Sequence, residues 1–267
     1  MYPFLFKIGN FPIGTYGVMI AIGLLIGVAI AVWRGRQNGI EDDIILDLVF
    51  YGSLAGIIGG RLFYIILNFG DFLKDPATYI FSREGFVFIG GFLVGLPVAI
   101  IYLKKKKQDM WLVLDVMMPS LALAHAFGRI GCLFAGCCYG AVCNLPWAVK
   151  FPQQSLAFWD HLNHGLIENN SLSSLPVHPT QIYEAITNFL IFIILMLLWK
   201  KIKFRGQITA AYLFLYSIAR FSIEYFRGDN PKIFFGIFTT TQFICLFTFT
   251  ASIIIYKYKS SKNLIKQ

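Results

Sequence analysis

An all-α, polytopic membrane fold is predicted by three observations. The 267-residue chain is 57% hydrophobic and only 14% charged, with a mean hydropathy of +0.65. No soluble domain hides that much apolar surface. The apolar residues gather into seven runs, near 14–33, 44–67, 86–103, 112–130, 181–199, 207–226 and 236–256. Each is long enough to cross a hydrocarbon layer of roughly 30 Å as helix. Basic residues cluster after alternate runs, as the positive-inside rule requires of a multi-span protein.

Each run is expected to be helical, because backbone groups in lipid must bond within their own segment. The first lacks a basic leader and a small-residue cleavage site, so it is expected to stay as an anchor. The second carries Gly52, Gly56, Gly59 and Gly60, read as close-packing positions, and then Arg61. The third ends in four lysines, Lys104–Lys107, which set topology. The fourth and sixth are the least hydrophobic and hold Arg129 and Arg220. The fifth is entered through His178-Pro179, with Glu184 two turns in, and Pro179 suits a first helical turn. The seventh contains Cys245 and leads into a basic tail suited to anionic lipid.

Residues 131–180 form the one long connection. It has four prolines (Pro146, Pro152, Pro176, Pro179) and the polar stretch Glu168-Asn169-Asn170-Ser171. A loop of this length is expected to build a small external subdomain within a single membrane domain spanning 1–267. His161 and His164 lie in it and are expected to be solvated.

Orientation follows from charge. Arg34/Arg36, Lys104–Lys107, Lys200/Lys201/Lys203/Arg205 and Lys257/Lys259/Lys262/Lys266 follow runs one, three, five and seven. The N-terminus is therefore expected outside and the C-terminus in the cytoplasm. The net charge of +9 belongs to these flanks, which argues against a nucleic-acid partner.

With that orientation the rare polar groups converge on the outer half of the bilayer. Arg129 closes run four, Tyr16 opens run one, His178 precedes run five, and Glu224 and Arg227 end run six. Arginine inside a membrane is costly and is kept for an ion pair, a pathway or an anionic ligand. Its planar fork of donors matches phosphate oxygens. Arg129 and Arg220 are thus read as phosphate-binding residues, with ion pairing to Glu184 or Glu224 as the structural alternative. Glu224 is read as the residue that orients Arg220. For Arg61 the alternative is a packing cation paired with Asp47 or a carbonyl.

Three segments in order carry a family resemblance. They are Gly128-Arg129-Ile130-Gly131 through Gly136 and Gly140, His178-Pro179-Thr180-Gln181-Ile182-Tyr183-Glu184, and Arg220-Phe221-Ser222-Ile223-Glu224-Tyr225-Phe226-Arg227. Together they resemble the signatures of the prolipoprotein diacylglyceryl transferases. Tyr16-Gly17, Gly59-Gly60-Arg61 and Gly90-Gly91 are weaker matches. The resemblance implies a multi-pass enzyme of the bacterial inner membrane that uses phosphatidylglycerol. Its diacylglyceryl group would pass to the lipobox cysteine thiol in the signal peptide of an exported prolipoprotein, releasing glycerol phosphate. It implies Arg129, Arg220 and Tyr16 as catalytic residues; His125 is added to them from its own position on the helix. Arg61, His178, Glu184, Glu224 and Arg227 join Arg129 and Arg220 around the substrates. No cofactor and no metal is implied.

The chain departs from the family pattern at chemically loaded positions. A Phe-His-Gly-Gly segment reads Phe88-Ile89-Gly90-Gly91, so Ile89 stands where the family has histidine. Cys132 replaces an asparagine and Cys137 a glutamate. His125, four residues before Arg129 on the same helix face, is the candidate replacement base. Cys132, Cys137, Cys138 and Cys143 share one short stretch. Thiolate and imidazole suit zinc, so a site with His125 or His178 is chemically open, but C-x4-C-C-x4-C is not a familiar zinc spacing. A disulfide or plain packing is the reading there. Two other functions stay open on the residues alone: transfer from the same lipid to a different acceptor, and non-catalytic lipid binding or anion transport.

Overall fold

The computed structural model describes residues 4–9, 11–82, 85–153, 155–228, 232–234, 236 and 238–262. Their order is β1 (Phe4–Ile8), β2 (Phe11–Gly14), α1 (Thr15–Gln37), α2 (Asp42–Leu67), α3 (Phe69–Phe72), α4 (Pro76–Phe81), α5 (Phe88–Lys105), α6 (Met110–Ala135), α7 (Leu156–Asn163), α8 (Thr180–Trp199), α9 (Gln207–Glu224), β3 (Lys232–Phe234), β4 (Phe238–Thr239) and α10 (Thr240–Lys262). The expected apolar runs coincide with α1, α2, α5, α6, α8, α9 and α10. Of these, α1, α2, α6, α8 and α10 are both long and apolar enough to cross a membrane. Large apolar side chains such as Leu25 (70%), Phe50 (61%) and Phe247 (74%) lie exposed on them, which lipid and not water accommodates. The protein is a mostly helical integral membrane protein.

Several boundaries differ from expectation. The fourth helix runs on to Ala135, so Arg129 lies within it and not at its end. The seventh starts at Thr240, because Lys232–Phe234 and Phe238–Thr239 before it pair as the antiparallel strands β3 and β4. Thr239 and Gln242 then make a capping box: the Gln242 N–H donates to Thr239 Oγ1 (3.2 Å), and the Thr239 N–H donates to Gln242 Oε1 (3.1 Å). The β1–β2 hairpin and the short helices α3 and α4 carry no apolar period that announces them.

The chain divides into two compact units, Ile30–Val113 and the remainder, Met1–Ala29 with Leu114–Gln267. In the first, α2 packs on α5 through facing glycines. A Cβ on Gly59 would stand 2.5 Å from the Gly90 carbonyl oxygen, and one on Gly91 would stand 2.8 Å from that of Gly56. The expected close-packing role of this glycine row is therefore met, as for membrane helices in general. The Tyr102 hydroxyl donates to Asp47 Oδ2 at 2.8 Å across the same pair.

In the second unit, Ala122 of α6, Ile191 and Leu195 of α8, and Ile208 and Tyr212 of α9 form an apolar core. Asp115 of α6 is fully buried and accepts from Gly206 N–H (2.6 Å), Thr209 N–H (2.8 Å) and Thr209 Oγ1 (2.7 Å). Gly206 starts α9 and has no side chain to cap it. Asp115 supplies the missing cap from another helix and sets a negative charge at the positive end of α9.

The connection from α6 to α8 folds around Tyr139, Phe151, Ala157 and Val177. Bridges Val142–Val177, Val149–Val177 and Pro152–Ser173 tie its two halves. His161 corrects the expectation of a solvated loop histidine. It is 3% exposed, its Nδ1 accepts the Leu175 N–H at 3.1 Å, and its ring meets Tyr139 edge-on. The α7 helix buries one face, and His161 falls on that face with Ala157 and Phe158. Burial lowers its pKa below the ordinary 6.5. His164 is exposed and pairs with Asp160, as a surface histidine does.

Candidate active site

Two glutamates organise the site. Glu184 sits one turn into α8, 1% exposed, and faces three arginines. Its Oε2 lies 2.9 Å from Arg129 Nε, and its Oε1 lies 3.2 Å from Arg220 Nη1 and 3.5 Å from Arg227 Nη1. Glu224 pairs with Arg220 Nη2 at 2.8 Å through Oε2, one turn along α9. Its Oε1 accepts from Thr239 Oγ1 at 2.7 Å. The Thr239 that caps α10 thus also fixes the glutamate that fixes Arg220. Three guanidinium groups against two carboxylates leave one formal positive charge in a largely dry environment, where an anion is favoured.

Arg129 is the exception among the three. Its contacts to Glu184 Oε2 and to His125 Nε2 (3.2 Å) both run through Nε. Its two terminal amines have no protein hydrogen-bond partner among the described residues. Its side chain is also the most open, at 17% exposure against 8% for Arg220 and 6% for Arg227. Two parallel donors with nothing to bond are what a phosphate or carboxylate ligand needs.

The expected site residues divide accordingly. Arg129, Arg220, Arg227, Glu184 and Glu224 come together in one network. His125 joins it, but the Nε2 lone pair that a base would use already accepts the Arg129 Nε–H, and its ring packs 5.4 Å from Tyr216. Tyr16, in the first turn of α1, is 45% exposed and packs against Gly131 of α6, where an added Cβ would lie 3.2 Å from its ring. His178 lies beside Tyr183 and Phe226: Nδ1 is 3.3 Å from the Tyr183 hydroxyl, and the ring is 5.1 Å from that of Phe226. Arg61 belongs to the other compact unit and donates to the carbonyl oxygens of Gly85 (3.0 Å) and Ser82 (2.7 Å), with Asp47 bonded to Tyr102 instead. Ile89 is exposed on α5 in that unit.

The signature glycines serve approach and turning. A Cβ on Gly140 would meet His178 Cβ at 2.5 Å and the Phe226 carbonyl at 2.6 Å. That close passage lets Gly140 bridge Arg227 and holds the backbone from which Arg227 reaches Glu184. Thr180 and Gln181, both fully buried, were not singled out by the sequence. Thr180 Oγ1 donates to the Cys138 carbonyl (2.8 Å) and Gln181 Nε2 to the Cys137 carbonyl (2.7 Å). The first turn of α8 therefore clamps the segment after α6. All five cysteines are free thiols; of the two readings left open for the cluster, a disulfide or plain packing, no disulfide is present.

Comparison with known proteins places the chain beside one family. A family model described as prolipoprotein diacylglyceryl transferase matches residues 3–258. A phosphatidylglycerol–prolipoprotein diacylglyceryl transferase of Clostridium tetani (strain Massachusetts / E88) is 35% identical over 96% of this chain and 97% of its own length. A second, numbered 2, from Clostridium perfringens (strain 13 / Type A) is 35% identical over 96% and 95%. One from Finegoldia magna is 31% identical over 98% and 96%. Arginine-bearing helices, a buried glutamate hub and a family match spanning residues 3–258 lead to one conclusion: the chain belongs to the prolipoprotein diacylglyceryl transferase family.

Proposed function

We propose that this protein transfers the diacylglyceryl group of phosphatidylglycerol to the lipobox cysteine of exported prolipoproteins in the bacterial inner membrane. The reading rests on the family and on one observation above all, the two Arg129 amines that have no hydrogen-bond partner among the described residues. The lipid phosphodiester carries one negative charge, and the departing glycerol phosphate carries more. Donors held in place where that charge develops lower the barrier without reorganising. Arg129 takes the phosphate through its free fork, while Glu184 and His125 hold its Nε and so its orientation. Arg220 and Arg227, braced by Glu184 and Glu224, supply the surrounding positive field. His125 acts as a positioning residue here, because its lone pair is engaged.

Tyr16 lines the way in for an incoming substrate, and the folded connection between α6 and α8 is read as the external subdomain beside it. His178 shapes the wall with Tyr183 and Phe226. Arg61 holds the 82–85 loop and serves the substrates indirectly.

Purified protein mixed with phosphatidylglycerol and a lipobox peptide tests this by mass spectrometry. The peptide is expected to gain one diacylglyceryl group as glycerol phosphate appears. Arg129→Ala is expected to lose about 100-fold or more in kcat, the cost of one charge-stabilising donor group. Glycerol phosphate without modified peptide would mean a different acceptor, and neither product from folded protein would overturn the reading.

A further inference from the structure

The α6 helix ends in a way that collects thiols. Gly136, at φ +70°, takes the left-handed position after the last helical turn. The Gly136 N–H donates to the Leu133 carbonyl (3.2 Å) and the Cys137 N–H to the Cys132 carbonyl (3.2 Å). These are the two bonds of a Schellman motif, which sets the residue after the glycine against the one five places before it. An apolar contact usually fills that place. Here both residues are cysteines. Cys138 is then held at φ +60°, a left-handed backbone that disfavours a residue with a Cβ. Thr180 and Gln181 keep it there through the Cys138 and Cys137 carbonyls. The sulfurs of Cys132, Cys137 and Cys138 consequently lie within 4.8 Å of one another.

We infer that Cys132, Cys137 and Cys138 form a three-thiolate site for a thiophilic divalent cation of the zinc class, with its fourth position reserved for the acceptor cysteine. Zinc–sulfur bonds of about 2.3 Å place tetrahedral sulfurs about 3.8 Å apart, a spacing that the observed trio, within 4.8 Å of one another, brackets. Three thiolates on a divalent cation leave one negative charge. Arg129 and Arg227 lie close enough to Cys138 to interact with it, so that charge is compensated. Three protein ligands are the number that leaves a tetrahedral ion one open place for substrate. Tyr16, on the exposed side, is within electrostatic reach of all three thiols and of Arg129. The thiol trio and the phosphate-facing arginine therefore share one neighbourhood, as acceptor and donor must.

The site answers a need that the residues leave unmet, and it rests on the transferase reading above. Ile89 has no proton-accepting atom, and the His125 lone pair is engaged. A thiol bound to such an ion is deprotonated on coordination. The lipobox S–H would lose its proton to solvent as its sulfur takes the fourth place. That sulfur then attacks the glyceryl carbon; the S–C bond forms and the carbon–oxygen bond to phosphate breaks. The electron pair leaves on the phosphate oxygen, beside Arg129. The thioether product is neutral and a poor ligand, so it departs.

The test uses the full chain in detergent micelles, loaded with Zn2+ and, separately, with Co2+. Elemental analysis is expected to find one zinc per chain in the wild type. Cys137→Ser and Cys138→Ser are each expected to weaken metal binding by at least about 10-fold, the scale of losses at metal sites, while Cys143→Ser retains the metal. The wild-type cobalt form is expected to show tetrahedral thiolate absorption. A lipobox peptide should shift that spectrum, and the same peptide with serine for cysteine should not. No metal retained by wild type, or identical spectra with both peptides, overturns the proposal without relying on any variant. Undiminished transfer by metal-stripped protein also overturns it and leaves the transferase reading standing. Metal and cysteine-peptide binding with no transfer would keep this site and sink that reading instead.

Discussion

Glu184 carries more of the site than any arginine does, because three guanidinium groups lean on one carboxylate. Glu224 pairs with Arg220 through one oxygen and holds Thr239 on the other. Removing one partner of a buried ion pair leaves an uncompensated charge and costs about 3–5 kcal/mol. Glu184→Gln is therefore expected to lower the thermal unfolding midpoint more than Glu224→Gln does, and to depress transfer more. Melting followed in detergent would settle the order, and equal losses would refute the hub. The arginines and both glutamates were legible in the sequence because charge inside an apolar run is conspicuous. Their sharing was not, since Glu184 and Arg220 are 36 residues apart and no period links them. His161 was misjudged for a related reason: a polar-looking loop hid a helix with a buried face. Its Nδ1 accepts the Leu175 N–H, so protonation would set two donors against each other. With its pKa lowered by burial, the folded form binds fewer protons than the unfolded one. The stability it contributes is complete above about pH 6.5 and falls away as pH drops through the folded value. Hydrogen exchange at the Leu175 amide is expected to quicken between pH 7 and pH 5 (approximate bounds around that ordinary value) beyond the intrinsic change. No excess acceleration would contradict this account.

At the scale of elements, helix ends and glycine rows position the chemistry. The Schellman turn of α6, the capping box of α10 and the remote cap of α9 each serve a second partner beyond their own helix. The apolar periods foretold the helices well, and they placed α8 within a residue of its observed start. They could not foretell α9 beginning on a cap borrowed from α6, because Asp115 lies 91 residues from Gly206. They also read the end of α6 as a loop cysteine cluster, although Gly136 was the signal for a left-handed turn. Asp115 makes the strongest prediction here. It holds two backbone N–H groups and one hydroxyl, all buried. Asp115→Ala leaves those donors unpaired, and loss of a cap alone costs about 1–2 kcal/mol. Asp115→Asn keeps acceptor capacity and is expected to lose less, since only the charge opposite the helix dipole is removed. Thermal melting of the two variants checks the ranking, and a neutral Asp115→Ala would mean that α9 needs no cap.

For the whole molecule, the proposed chemistry predicts an orientation that hydropathy alone does not. The acceptor of the proposed reaction is an exported segment, so the arginine–glutamate network must open toward the outer leaflet. The charge pattern asks for the same arrangement independently. Arg34 and Arg36 close α1, Lys104 and Lys105 close α5, and Lys200–Lys203 follow α8, while α10 ends among Lys257, Lys259 and Lys262. Where the flanked helices α1, α8 and α10 meet the network, they do so at the opposite end: Tyr16 lies in the first turn of α1, Glu184 in the first turns of α8, and Thr239 just before α10. Positive flanks are retained in the cytoplasm, so both arguments predict that residues 136–179 lie outside. Alkaline phosphatase fused after Gly165 is expected to be active, and green fluorescent protein fused after Lys262 is expected to fluoresce. The reverse pattern would place the thiols and the phosphate-facing arginine on the cytoplasmic side, out of reach of an exported lipobox. It would overturn the assigned acceptor even if the lipid donor were correct.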